Sequence, residues 1–294
     1  MILITGAGGK TGKAIAEALV ARGKPVRALA RTPAHEAALR AIGVHQVVTG
    51  EMDDPHATSR AISGTEAIYH ICPNMSRSEV DFSTGVIDAA IGAGVSRFVY
   101  HSVLHPQIEA MPHHWNKMRV EEILFSSRLD VTVLQPAAYM QNILAEWDRM
   151  VGDGVYCVPY PIETKLSLVD LKDVAEAAAT VLMNTGHSNA TYELVGTLPV
   201  SQIEIAASFS RALNKPVRAE AEAVESWDHR AWAAGMNDYA RETLTKMFRV
   251  YACEGLTGNP NVLGWLLERP PTSLEDFAAR IAGSRSGCGD NTPP

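Results

Sequence analysis

The stretch Met1-Ile2-Leu3-Ile4-Thr5-Gly6-Ala7-Gly8-Gly9-Lys10-Thr11-Gly12 decides the fold. An apolar run ends at Thr5 and breaks into glycines. From Lys13 to Ala21 the apolar residues then recur with helical period. Strand, glycine turn and helix in that order make a pyrophosphate site, because the first amides of a helix and its dipole favour an anion. Gly6 allows the tight turn out of the strand that Thr5 closes. Gly8 and Gly9 keep the turn bare, and at Gly9 no side chain blocks a phosphate approaching the backbone. Gly12 lets the helix pack closely on the strand. Lys10 and Thr11 add a positive charge and a hydroxyl. Glycine turns also serve purely structural ends. The strand before this one and the helix after it set it apart and point to dinucleotide binding.

Outward from that stretch, strand-like runs alternate with helical patterns. Strands are expected at Pro25–Ala30, Val44–Thr49, Glu66–Cys72, Arg97–Ser102 and Val131–Leu134. Helices are expected near His35–Ile42, Pro55–Ile62, Glu79–Ala93 and His114–Ser127. Regular βα alternation with short links implies an α/β fold: a doubly wound parallel (Rossmann) sheet covered by helices on both faces. The rhythm changes near residue 150. Short strands are expected at Val155–Val158, Lys165–Val169 and Tyr192–Val195. Asp170 and Asp173 suggest a capping box opening a helix through Met183. Helices are then expected at Ser201–Leu213, Ser226–Ala234, Tyr239–Cys253 and Ser273–Ala282. This divides the chain into a dinucleotide-binding domain (1–150), a smaller, mixed but mainly helical cap domain (151–283), free to interleave with the first, and a small, polar, disordered tail (284–294).

The 294 residues, 46% hydrophobic and 20% charged, have an ordinary globular balance. A formal net charge of -7 argues against a general nucleic-acid or anionic-membrane surface. No run has the length of a membrane span. With a strand starting at Met1, no cleavable leader is expected ahead of it. Cys72, Cys157, Cys253 and Cys288 are scattered without a CxxC pair, which suits reduced thiols in the cytoplasm.

Ligands of open parallel sheets sit beyond the carboxyl ends of the strands, so the residues that follow each strand matter most. After the second strand, Arg31 stands where a site for an unphosphorylated ribose usually puts a carboxylate. A guanidinium there, with Lys10 nearby, favours a 2′-phosphate and hence NADP(H). After the third strand, Asp53 could accept from the adenine amino group while Met52 packs on the ring; Asp53 or Asp54 could equally cap the helix that Pro55 starts. Cys72-Pro73-Asn74, after the fourth strand, could run beside the nicotinamide ribose or form a plain loop. Ser102 follows the fifth strand, and the helix beyond carries His113 and Lys117 on one face. The Lys117 ammonium can hold ribose hydroxyls and lower the pKa of a neighbouring donor. Pro136 stops the sixth strand and is counted with the cofactor-binding residues.

His101, His105, His113 and His114 cluster in sequence but straddle a strand end, and no cysteine or carboxylate completes a ligand set, so no metal is expected. GxSxG and HExxH are absent. The second half holds Trp227, Trp232, Met236, Tyr239, Met247, Phe248, Tyr251 and Trp265, most at helical spacing and expected in the core. The segment Pro136 to Asn142, including Tyr139, falls where domain and cap would meet. An apolar cleft there would suit a flat or aromatic substrate.

Taken together, the chain resembles the NmrA-like branch of the atypical short-chain dehydrogenase/reductases, which includes quinone oxidoreductase and triphenylmethane reductase types. The resemblance rests on Thr5 to Gly12, Arg31, Arg97-Phe98-Val99-Tyr100-His101-Ser102 and Lys117-x-x-x-Glu121. It continues through Thr132 to Ala137 with Asn142 downstream, Leu168 to Asp170 with Asp173 to Ala175, and Pro271 to Phe277. It covers nearly the whole chain. It implies NADP(H) on a Rossmann domain and a small cap forming the substrate cleft. Some members of the family are reductases of quinones, triphenylmethane-type dyes or related conjugated acceptors; others bind the cofactor and act as redox-sensing regulators. The tyrosine of the YxxxK pattern of better-known relatives falls at position 113, which is His113 here, whereas Lys117 is retained. The expected activity is therefore NADPH-dependent hydride transfer to a small apolar or aromatic acceptor, with Lys117 positioning the ribose and His113 or Tyr139 donating a proton. The alternative is a non-catalytic NADP(H) sensor that regulates a protein partner. Neither reading calls for nucleic acid or membrane, and a homodimer is compatible with both.

Overall fold

The computed structural model describes residues 1–73 and 75–286. In chain order the first elements are β1 (Ile2–Ile4), α1 (Lys10–Ala21), β2 (Val26–Ala30), α2 (Pro33–Ala41), β3 (Gln46–Thr49) and α3 (Pro55–Ile62). They continue with β4 (Ala67–His70), α4 (Glu79–Gly92), β5 (Arg97–His101), α5 (Pro112–Phe125) and β6 (Val131–Pro136). Next come β7 (Ala138–Tyr139), a 3-10 turn (Met140–Glu146), α6 (Trp147–Gly152), β8 (Val155–Val158) and β9 (Leu168–Val169). After these follow α7 (Leu171–Met183), β10 (Ala190–Leu194), α8 (Gln202–Leu213) and β11 (Arg218–Ala221). The chain ends in α9 (Val224–Ala233), α10 (Asp238–Glu254), α11 (Asn261–Leu267) and α12 (Leu274–Ser286). Helix α12 takes in residues 284–286, the start of the expected tail; residues 287–294 lie outside the described residues.

Contacts group the chain into two compact units. One contains Met1–Pro136 and Leu171–Leu194; the other contains Ala137–Asp170 and Val195 onward. The sequence pattern drew its boundary near 150 with interleaving allowed; the chain crosses between the units at 136/137, 170/171 and 194/195.

The first unit holds a seven-stranded sheet in the order β10-β6-β5-β4-β1-β2-β3, parallel at every pairing. Its inner strands are short and largely apolar because both faces are covered: β1, β4 and β6 are buried at every position. On one face Leu3, Ile68, Phe98, Tyr100 and Val133 pack with Ala57 and Ala61 of α3, Val86 and Ile87 of α4 and Val120 and Leu124 of α5. Helices α1 and α7 pack on each other on the opposite face, with α7 against β5 and β6. The chain runs from β1 outward through β2 and β3, then returns to the other side of β1 for β4, β5 and β6. The switch point therefore lies between the carboxyl ends of β1 and β4.

In the second unit β8 pairs in parallel with β11, and β7 with β9. Both oxygens of the buried Asp170 carboxylate are used within this unit, one accepting from Gln141 Nε2 (2.7 Å) and the other from Arg280 (2.6 Å). At the start of α12, Ser273 Oγ accepts from the Asp276 amide at 3.0 Å. The aromatic residues assigned to the core divide differently from expectation. Tyr251 is buried, but Trp232 and Trp265 are exposed and Trp227 and Phe248 lie half-buried in an edge-to-face pair with centroids 4.7 Å apart. Helical spacing alone does not say whether another layer lies over a stripe. No helix of the described residues is long and apolar enough to cross a membrane.

The glycines around β1 are fixed by packing. Gly6 takes φ +59°, and a Cβ there would stand 2.7 Å from the Ile71 carbonyl oxygen. A Cβ on Gly12 would stand 2.5 Å from the Gly6 carbonyl oxygen and 2.7 Å from Ala7 Cα. Gly12→Ala is therefore expected to destabilise the protein by about 2 kcal/mol, since an extra carbon forced into a full contact displaces backbone. The measurement is the denaturant midpoint at unchanged m-value; a variant as stable as the parent would show that the loop yields freely.

Candidate functional site

The residues expected to meet a ligand are gathered at the carboxyl edge of the first unit's sheet, with one exception. Tyr139 lies in β7 and belongs to the second unit. Asn74 lies outside the described residues.

The glycine loop is built as the sequence demands at Gly6 and Gly12. Gly9 differs from them. It is exposed, has φ -80°, and its added Cβ would meet only the Gly6 carbonyl oxygen, at an ordinary 3.4 Å. Nothing in the protein's own packing requires glycine there. Gly9 is also the N-cap of α1 and supplies no side-chain cap. The helix begins at Lys10, not Lys13, which brings Lys10 and Thr11 into that first turn. A Cβ on Gly8 would press on the His35 ring at 2.6 Å, so this glycine is needed for packing.

Arg31 follows β2. It is exposed and makes no hydrogen bond or ion pair with the described residues, while Thr32 caps α2 by accepting from the His35 amide. After β3 the capping role falls to Asp54, whose carboxylate accepts from the His56 amide at 2.9 Å. Asp53 is left exposed in the turn, with Met52 half-buried against the core cluster.

At the switch point, Thr5 Oγ1 accepts from the Ile71 amide (2.9 Å) and lies 2.9 Å from His70 Nδ1. His70 Nε2 lies 3.0 Å from Ser83 Oγ. The ends of β1 and β4 are thus joined by side chains as well as by the ladder. Cys72 is buried beyond β4, and its thiol pKa is pushed up by burial and by Glu79. Pro73 is half-buried.

Beyond β5, the Ser102 hydroxyl donates to Glu121, which also accepts from Gln135 Nε2 at 3.0 and 3.1 Å. Burial raises the Glu121 pKa against these hydrogen bonds. Lys117, on α5, donates to Glu79 Oε1 at 2.6 Å and to the His101 carbonyl at 3.2 Å. Its ammonium is therefore already held at the end of β5, with one N–H left over. Pro136, buried at the end of β6, accepts from the Leu104 amide at 2.9 Å.

His113 is not the surface residue that a position near a helix N-terminus suggests. It is 8% exposed, its ring meets that of His114 edge-on at 4.5 Å, and its Nδ1 has no partner among the described residues. Burial, then His114 and Lys117, lowers its pKa to about 3. At neutral pH His113 is an uncharged imidazole that offers an N–H or a lone pair, not an imidazolium proton. Among the described residues no group of three or more His, Cys, Asp or Glu is placed to hold a metal.

Glu79 received no role from the sequence, yet it lies on the buried stripe of α4 with Ser83, Val86, Ile87 and Ala90. A carboxylate on an otherwise apolar face is the signal that marks it. Glu121 lies in the same way on the stripe of α5 with His113, Val120 and Leu124.

The doubly wound sheet and the loop at its switch point define a Rossmann-type α/β protein. A model of the NmrA-like family matches residues 1–276, and the chain belongs to that family. It is 28% identical to the NAD(P)H azoreductase of Xenophilus azovorans over 289 residues, 97% of this chain and 99% of that one. It is similar to the NADPH-dependent quinone oxidoreductase of Escherichia coli, solved in complex with NADPH. That likeness has 26% identity and a TM-score of 0.84, over 96% of this chain and 99% of the other. The Citrobacter sp. triphenylmethane reductase, complexed with NADP(H), shares the fold at 22% identity and a TM-score of 0.84, over 96% and 100% of the two chains.

Four buried histidines stay neutral in the fold: His70, His101 and His113 are lowered to about 3 and His114 to about 4, each chiefly by burial. Unfolded, each titrates near 6.5. Below that pH the unfolded chain binds more protons than the native one, so the stability these groups contribute is full above pH 6.5 and declines as pH falls toward 4. The slope is about 1.4 kcal/mol per pH unit for each histidine. The unfolding free energy should drop steeply between pH 6.5 and 4, with uptake of protons on unfolding. A flat profile across that window would show that the rings are not held neutral.

Proposed function

We propose that this protein is an NADPH-dependent reductase of small, conjugated, apolar acceptors such as quinones, azo compounds and cationic dyes. The observation that carries the cofactor half is Gly9: a glycine that packing does not require, at an uncapped helix N-terminus beside a parallel-sheet switch point. The residues present fit the group. The loop from Gly6 to Gly12 with the first turn of α1 would hold the pyrophosphate. Arg31 and Lys10 would hold the 2′-phosphate, and Met52 and Asp53 the adenine. Ser102, Lys117, Pro136 and the segment from Cys72 would line the nicotinamide end. The reduced nicotinamide supplies a hydride when bound. The family and the reductases named above support the acceptor half.

The chain's own residues then have distinct tasks. Lys117 is held in place by Glu79 and the His101 carbonyl, and its remaining N–H serves a ribose hydroxyl. His113, buried and neutral, is not an imidazolium acid at pH 7. The proton that completes reduction comes from water. Reduction of a quinone or a cationic dye tolerates this, because the product of hydride addition is a stabilised anion or a neutral molecule.

The test is NADPH consumption with a panel of quinones, azo compounds and triphenylmethane dyes. Turnover with at least one class is expected. Tight NADPH binding with no turnover across the panel would overturn the reductase and favour a cofactor-occupancy regulator of a protein partner.

The cofactor contacts are separable. Arg31→Ala should weaken NADPH binding at least about tenfold, the worth of a charge-assisted phosphate contact, and leave NADH nearly unchanged. Gly9→Ala should weaken both alike, since the two share the pyrophosphate. Equal loss of both cofactors in Arg31→Ala, read by calorimetric titration, would place the 2′-phosphate elsewhere.

A further inference from the structure

Glu79 opens α4 and is 2% exposed. One of its oxygens accepts from Lys117 Nζ at 2.6 Å and from the Tyr100 hydroxyl at 3.2 Å. Lys117 lies 5.5 Å from the centroid of the Tyr100 ring and is anchored by the carbonyl of His101. At the ends of β4 and β5 the ammonium therefore meets one carboxylate in direct contact, with His70, His101 and His113 neutral around the pair and a second buried carboxylate, Glu121, four residues further along α5, its pKa raised by burial. Such a pair is a poor device for stability. Desolvating both ions offsets most of their attraction, and well-packed apolar groups of the same size do as well or better. A lysine on a surface helix commonly extends into water instead. Its retention here points to a task for the charge balance itself.

We propose that Glu79 is a positioning residue that fixes Lys117 and, by cancelling its charge, sets the relative affinity of the site for oxidised and reduced cofactor. The inference rests on the reading above that Lys117 serves the nicotinamide ribose. The oxidised nicotinamide ring carries a positive charge and the reduced ring is neutral. An unbalanced ammonium beside the ring repels only the oxidised form. Glu79 removes that bias, so that the oxidised cofactor is tolerated. The ratio of the two dissociation constants also fixes the reduction potential of the bound nicotinamide, so Glu79 tunes the driving force for hydride transfer.

The experiment measures Kd for NADP+ and for NADPH in the whole protein, in Glu79→Gln, in Lys117→Met and in the double variant. Glu79→Gln should raise Kd(NADP+)/Kd(NADPH) on the order of tenfold, the scale of one unit charge at close range in a partly wet site. Lys117→Met should move the ratio the opposite way, and the double variant should return it to the parental value. Mere structural damage would weaken both forms alike. If Glu79→Gln yields no folded protein, Lys117→Met and the double variant carry the test. A ratio that stays unchanged while Lys117→Met weakens both forms equally would overturn the role of Glu79 and leave the cofactor assignment standing. If every variant folds and binds both forms as the parent does, Lys117 is not at the cofactor, and the reading beneath the inference fails with it.

Discussion

The contact between the Gly6 carbonyl and the backbone at Gly12 is the constraint from which the rest of the first unit follows. Neither position accepts a Cβ: at Gly12 it would meet the Gly6 oxygen at 2.5 Å, and Gly6 turns through φ +59° against Ile71. This close approach fixes α1 to the end of β1 with no side chain between them. The N-terminus of α1 is thereby carried to the switch point between β1 and β4. Thr5 then joins the two strand ends through the Ile71 amide and His70. A loop so held cannot drift to accommodate whatever approaches it. The approach is left open at Gly9, the one glycine of this loop that the packing does not explain.

The parts of the fold legible in the sequence share a cause. A parallel sheet covered on both faces writes its strands as short, largely apolar runs: β1 is apolar throughout, and β2, β4, β5 and β6 are apolar apart from polar residues such as Arg27, His70, Arg97 and Gln135. Prolines mark the starts of α2 and α3 because their missing amide is no loss in a first turn. What was not legible depends on partners far away in the chain. Strand β11, Arg-Ala-Glu-Ala, alternates charged residues with nothing larger than alanine over four positions, too weak a pattern to announce its pairing with β8. The same holds for β7, two residues long. Helix α11 is too short for its period to show.

The candidate site divides along the same line. Backbone requirements such as a turn at Gly6 or a close contact at Gly12 are written locally. So was the competition between Asp53 and Asp54, though only the geometry awards the cap to Asp54. Electrostatic partners are not local. Lys117 reads from the sequence as an available ammonium, because its balancing carboxylate lies 38 residues earlier on another helix. His113 reads as a titratable donor because nothing near it in sequence announces that the fold will bury it. Buried polar residues on an apolar helical stripe were the available sign, and Glu79 and Glu121 both carry it.

These corrections change what chemistry the end of β5 can support. A tyrosine in the place of His113 would pair with a free lysine to deliver a proton. Here the lysine charge is neutralised, the nearby imidazoles are uncharged at pH 7, and the Ser102 hydroxyl donates to Glu121. No group among them is poised to give up a proton at neutral pH. Alcohol or ketone interconversion needs such a group, since an alkoxide is too basic to leave unprotonated. Acceptors whose reduced form spreads its charge over a conjugated system do not need one. Under the proposed reductase reading, the ion pair and the buried ring are compatible with acceptors of that kind.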